Sequence, residues 1–177
     1  MDTICEKKPA DTTVTLFGKE FSYPFFAGPV GAVKLHYGEK YTDQEYNDIL
    51  LAGCMEGGIA ALTGDGSDAR VMQEATAAVQ KLGGLGIPTV KPWDMDTIRD
   101  KMELVKRSGA FAVAMDVDAA GLPFLQTLTP PAGSTSAEEF KSIVEVVEIH
   151  FILKVFMKVG GATKAPAAGA TAFEAAY

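Results

Sequence analysis

The 177-residue chain predicts an α/β fold of the (β/α)8 TIM-barrel type, incomplete, with parallel strands, on three observations. Short apolar or β-branched runs recur at Phe25–Ala27, Ile59–Leu62, Ile87–Val90, Phe111–Met115 and Phe151–Leu153. They are too short for helices and lack the alternation of a sheet with one wet face, so they read as strands buried on both sides. Between them lie stretches of 3.6-residue periodicity, and this β-α-β-α order calls for parallel strands joined by right-handed crossovers. Each strand then ends in its own polar or Gly/Pro signature: Gly28-Pro29, Thr63-Gly-Asp-Gly66, Lys91-Pro-Trp-Asp94, Asp116-Val-Asp118 and Lys154. A doubly wound sheet would gather its phosphate-binding glycines into one G-x-G-x-x-G after the first strand, a spacing that Gly28-Pro29-Val30-Gly31 does not supply. Functional groups at the carboxyl ends of several different strands are what a barrel active site requires.

Taken in order, residues 1–20 form a lead-in and the first strand ends at Gly28-Pro29. Thr42-Asp-Gln-Glu45 is a capping box that opens a helix carrying Tyr46, Ile49, Leu50 and Cys54 and leaving at Gly57-Gly58. After the second strand, Asp65-Gly66 reads as a turn pair, and the next helix exits at Gly83-Gly84. The third strand ends at Lys91, and Asp96 is placed to cap a helix with Ile98, Met102 and Val105 on its apolar face and Lys101 and Lys106 in solvent. Trp93, beside a proline, reads as packing. That helix exits at Gly109. The fourth strand puts Asp116 where the chain leaves the core, while Asp118 is expected to point away from it and reads as structural. Ser136-Ala-Glu-Glu139 is a second capping box before Phe140, Ile143, Val144 and Val147. The whole is one domain over 1–177, with 155–177 an atypical tail.

Sixteen Lys and Arg against 23 Asp and Glu give a net charge of −7, with no basic cluster long enough to track a phosphate backbone. This argues against nucleic acid or an anionic membrane surface as partner. No apolar run approaches the roughly 20 residues of a membrane span, and Met1 to Pro9 has no apolar segment for secretion, so the cytoplasm is the expected location. Cys5 and Cys54 make neither a metal spacing nor a disulfide framework and read as structural. His36, in the loop after the first strand, reads as a surface residue, and Tyr37, Tyr41 and Tyr46 suit either packing or substrate contact. Lys91 and Lys154 follow buried runs, where an ammonium must meet a counter-charge or a ligand.

The series Pro24-Phe-Phe-Ala-Gly-Pro-Val-Gly31, Gly58-Ile-Ala-Ala-Leu-Thr-Gly-Asp-Gly66, Gly86-Ile-Pro-Thr-Val-Lys-Pro-Trp-Asp94, Ala112-Val-Ala-Met-Asp-Val-Asp118 and Phe151-Ile-Leu-Lys154 resembles the FMN-dependent α-hydroxy-acid oxidases and dehydrogenases, the glycolate and lactate oxidase group. The resemblance runs from Thr13 to Ala170. It implies FMN as cofactor, with the backbone of Gly28, Pro29, Val30 and Gly31 along the flavin, Thr63 hydrogen-bonded to it and Lys91 in place of a glutamine-type contact. It also implies that Lys154 faces the N1/O2 edge of the ring, where a cation stabilises the anion formed on reduction. Asp116 would orient the family's catalytic histidine.

That histidine sits in a Ser-Asn-His-Gly-Gly motif after the sixth strand, where this chain reads Ala170-Thr-Ala-Phe-Glu-Ala-Ala-Tyr177. Lys154 is followed by Val155 where the family has glycine, Pro166 falls where a helix is expected, and His150 stands where an apolar residue or proline would be ordinary. The expected function is FMN-dependent oxidation of a small 2-hydroxy acid to the 2-oxo acid, completed by C-terminal barrel units that these residues do not include. The alternative is a catalytically inactive barrel fragment, or a non-enzymatic flavin or phosphate binder. An open parallel sheet has bare edges, so a homo-oligomer is expected.

Overall fold

The computed structural model describes residues 9–156, 164 and 166–175. An antiparallel hairpin of β1 (Val14–Leu16) and β2 (Lys19–Phe21) comes first. Its two-residue turn places both Phe17 (φ 51°) and Gly18 (φ 74°) at positive φ, the pairing whose twist suits a tight hairpin. The lead-in is therefore structured from Val14 onward.

Five strands follow in one sheet, in the sequential order β3 (Leu62–Thr63), β4 (Ile87–Val90), β5 (Ala112–Asp116), β6 (His150–Phe156) and β7 (Ala172–Ala175), every neighbouring pair parallel. The expected strand at Phe25–Ala27 is reduced to a single parallel bridge between Ala27 and Ala61. Pro24 and Pro29 flank it, and each removes a backbone donor that a longer ladder would use. β7 lies in the stretch expected as an atypical tail, and the described residues before it form a 3₁₀ turn, Pro166–Ala168. Cys5 and the side chain of Val155 lie outside the described residues.

Helices α1 (Val33–Tyr37), α2 (Asp43–Glu56), α3 (Ala69–Lys81), α4 (Met95–Ser108), α5 (Pro123–Gln126) and α6 (Ala137–Val147) lie between the strands. Both capping boxes form as the sequence predicts, at Thr42/Glu45 and Ser136/Glu139. The cap of α4 is Asp94, not Asp96: its carboxylate accepts from the Thr97 N–H at 3.1 Å, while Asp96 sits inside the first turn. Two candidate acids two residues apart differ only in which peptide leaves the helical region first, and the bridge from Trp93 to Ala132 holds the chain extended up to Asp94.

The sheet separates two apolar layers. On one face Val90, Val113, Met115, Phe151 and Leu153 meet Met72, Val79, Ile98, Met102, Val105, Phe140 and Ile143 of the helices. On the other, Ile87, Ala112 and Ala114, with Leu62 and Ile152 beside them, meet Phe21 and Phe26 and the hairpin residues Val14, Leu16 and Phe17. The hairpin thus covers this second face, the face away from the helices, and Phe17 stacks on His150 with ring centroids 4.4 Å apart, which gives that histidine an aromatic partner at the start of β6. No helix among the described residues is long and apolar enough to cross a membrane.

Candidate active site at the strand ends

Parallel register decides what meets at the carboxyl rim. Asp116 pairs in register with Lys154, and Val90 with Met115, so Lys91 leaves β4 level with Asp116. Alternation along β4 and β5 then puts Ile87, Thr89 and Lys91, and Ala112, Ala114 and Asp116, on the hairpin-covered face. The Asp116 carboxylate lies between two ammonium groups: Lys91 Nζ at 3.9 Å from Oδ2 and Lys154 Nζ at 3.6 Å from Oδ1. The Lys154 side chain is 7% exposed, whereas those of Lys91 and Asp116 keep 26% and 21%, so the cluster opens toward solvent on the Lys91 side. Pairing Asp116 with lysine answers why a buried strand ends in a carboxylate: two converging cations need a counter-charge.

Asp118 joins this cluster, which corrects the expectation that it points away from Asp116: residues two apart on a strand share a face, so alternation does not separate the two carboxylates. β5 stops at Asp116 and a 3₁₀ turn, Val117–Gly121, takes over, which keeps Asp118 against Asp116. Burial pushes the Asp118 carboxyl above the ordinary aspartate range, and Asp116, charged and hydrogen-bonded to it, pushes the same way; Lys154 and Lys91 oppose. The Asp118 carboxyl therefore takes up a proton more readily than a free aspartate does.

Pro29, Val30, Gly31, His36, Tyr37, Gly64, Asp65, Thr89, Lys91 and Asp116 line one cavity of about 280 Å³. An adjoining, more apolar cavity of about 350 Å³ shares Pro29 and is lined by Gly28, Leu16, Phe17, Phe26, Ile152 and Lys154 among others. The predicted residues Pro29, Val30, Gly31, Lys91 and Asp116 thus converge on the first space, and Gly28 and Lys154 on the second. Thr63 lies on the opposite face of β3 from Leu62, fully buried, with no partner for its hydroxyl among the described residues. His36 is exposed, as expected, but at the mouth of the first cavity.

Gly31 and Gly64 pack backbone against backbone. A Cβ on Gly31 would lie 2.6 Å from Asp65 O and 2.7 Å from Asp65 N, and the Gly64 N–H donates to Val30 O at 3.1 Å. The first two strand-end loops therefore touch without side chains between them. Ala32, next in line, takes a left-handed conformation at φ 52°, unusual for a residue with a Cβ. The loop is anchored from below by Asp43, whose carboxylate oxygens each lie 3.3 Å from the Val33 N–H.

Sequence reasoning missed Asp65 and misplaced Lys101. The Asp65 carboxylate is almost fully buried and takes four donors: Lys101 Nζ at 2.5 Å and the Gly66 N–H at 2.8 Å on Oδ1, Trp93 Nε1 at 2.6 Å and the Lys91 N–H at 3.0 Å on Oδ2. Lys101, expected in solvent, is 5% exposed, and its ammonium lies 5.4 Å from the centre of the Trp93 ring. The signal was present: Lys101 falls on the same helical stripe as Ile98, Met102 and Val105. No group of three or more metal-ligating side chains occurs among the described residues.

Comparison with known proteins gives the family and the fold. The FMN-dependent dehydrogenase family matches residues 1–127. The fold is similar to that of a lactate oxidase from Pediococcus acidilactici (TM-score 0.70, 16% identity, 94% of this chain and 50% of that one). It is also similar to a mandelate oxidase solved with benzoyl-formic acid (TM-score 0.69, 17% identity, 97% and 53%) and to a mandelate oxidase point mutant with a C4a-OH-FMN adduct (TM-score 0.67, 17% identity, 92% and 50%). No curated protein matches by sequence. The chain spans about half the length of these oxidases, and its open sheet corresponds to part of their barrel. With the family matched over most of its length, the chain belongs to the FMN-dependent dehydrogenases.

Proposed function

We propose that this chain is the FMN-binding part of an oxidoreductase that converts a small 2-hydroxy acid to the 2-oxo acid, and that turnover requires further barrel units carrying the proton-abstracting histidine. The observation that supports it best is the convergence of Lys91 and Lys154 on Asp116 beside a cavity at the strand ends, in a chain whose family uses FMN. The hydroxyl of Thr89 fits the same reading: it is buried without a partner among the described residues, a state that costs about 1–3 kcal/mol, and Thr89 lines the cavity that a polar ring edge would enter, whereas Thr63 lines neither cavity.

When bound, the flavin supplies the two-electron acceptor. Lys154 and Lys91 would hold the flavin by their positive charge and would stabilise negative charge on it by preorganised electrostatics. Asp116 keeps the two ammonium groups together in the absence of ligand, and the Asp118 carboxyl packs against it. The backbone of Gly28 to Gly31 forms the wall between the two cavities, narrow because Gly28 and Gly31 carry no side chains.

Titrating FMN into the chain while following quenching of flavin fluorescence tests the proposal. Saturable, weak binding is expected, reduced in Lys154→Met, with no oxidation of glycolate or lactate by the isolated 177 residues. Absence of saturable binding, or a Lys154→Met variant that binds as the parent does, would overturn the flavin reading. Turnover by the chain alone would overturn the need for further units.

A further inference from the structure

Asp65 is an expensive residue to keep where it is. A buried ion pair contributes no more to stability than well-packed apolar residues of the same volume, so Asp65–Lys101 is not explained by stability alone. What it does contribute is position. Asp65 is the one described side chain that touches the loop after β3 (Gly66 N–H), the end of β4 (Lys91 N–H), the indole of Trp93 and helix α4 (Lys101) at once.

Resting on the flavin reading above, we propose that Asp65 is a positioning residue for Lys91, with Lys101 as the counter-charge that makes this possible. The hydrogen bond from the Lys91 backbone N–H to Asp65 Oδ2, seconded by Trp93 Nε1 on the same oxygen, fixes the direction in which the Lys91 side chain leaves the strand. Its ammonium then reaches Asp116 rather than solvent. Asp65 also lines the cavity that Lys91 and Asp116 line, so an unneutralised carboxylate there would compete with Asp116 for the Lys91 ammonium. Lys101, which is not among the residues lining that cavity, removes the competition by pairing with Oδ1 and with Gly66 O at 3.2 Å. Loss of Lys101 therefore has a different consequence from loss of packing: it redirects Lys91.

The test is a double-mutant cycle on the chain as it stands. Lys91→Met, Asp65→Asn and the double variant are titrated with FMN, with circular dichroism confirming the fold. Each single variant is expected to weaken binding about tenfold, the worth of one charge-assisted hydrogen bond, and the double variant no more than the weaker single one. Losses that multiply in the double variant, or an Asp65→Asn variant that binds normally where Lys91→Met does not, overturn the proposal. Should FMN not bind at all, the flavin reading fails and the positioning claim is read in the free chain. With lysine labelled at 13Cε, Asp116→Asn is expected to shift the Lys91 resonance, and the shift to fall by at least half when Asp65→Asn or Lys101→Met is already present. An undiminished shift overturns the proposal whatever the flavin does.

Discussion

Substituting Gly31 by alanine separates packing from ligand contact at the first strand end. Gly31 has no left-handed φ, so alanine meets no conformational penalty and the effect is steric. The added Cβ would sit 2.6 Å from Asp65 O, 2.7 Å from Asp65 N and 3.0 Å from Gly64 C, where ordinary contact begins at 3.4 Å. All three are backbone atoms held by the Gly64–Val30 hydrogen bond and by the Asp65 cluster, so no flexible side chain can move aside. The two loops must part by about 0.8 Å. Overpacking of this kind costs about 1–3 kcal/mol, a sizeable share of the roughly 5–15 kcal/mol that holds a domain together. With a urea slope of about 2 kcal/mol per M, the midpoint should fall by about 0.5–1.5 M. Gly28→Ala is the control: nothing lies within 4 Å of its Cβ, so its midpoint should stay within error of the parent. If Gly28 is bare because a flavin passes over it, Gly28→Ala should weaken FMN binding while leaving the midpoint alone. Equal midpoints for Gly31→Ala and the parent, or equal losses in both variants, would refute the argument from backbone contact.

Three further outcomes follow from particular contacts. Asp94→Ala should cost about 1 kcal/mol of unfolding free energy and Asp96→Ala much less, measured by the same denaturation; the reverse order would restore Asp96 as the cap. Asp118 has a folded pKa above its unfolded value, so its contribution is fully favourable below the unfolded value and is lost as pH rises through the folded one. Asp118→Asn should therefore raise the midpoint at about pH 7, with the gain shrinking toward about pH 3, and a gain independent of pH would contradict the pairing with Asp116. Sedimentation should show self-association, since Phe25 is 57% exposed and stacks on the likewise exposed Tyr23 beside the single-bridge strand; a compact monomer at high concentration would exclude it.

Strand order, parallel pairing and both capping boxes were legible because each rests on local chemistry: buried β-branched runs, Ser or Thr with Glu three residues on. The convergence of Lys91, Asp116 and Lys154 was legible too, since register in a parallel sheet carries strand ends to one rim whatever the loops do. What was missed has separate causes. Asp118 was expected on the wrong face although residues two apart on a strand share one, and the 3₁₀ turn that takes over after Asp116 keeps it against that carboxylate. The Thr63-Gly-Asp-Gly66 loop reads as a turn by composition, and only the approach of β4 and α4 turns its aspartate into an acceptor for four donors. Lys101 is the instructive case, because the helical stripe did place it inward and charge alone argued it outward. A lysine on an apolar stripe implies a buried acid elsewhere, and the search for that acid leads to Asp65, the unassigned carboxylate in the strand-end loop next to its own. Buried charge in a sequence is thus better read in pairs across elements than residue by residue, and here the pair lies directly behind the site it supports.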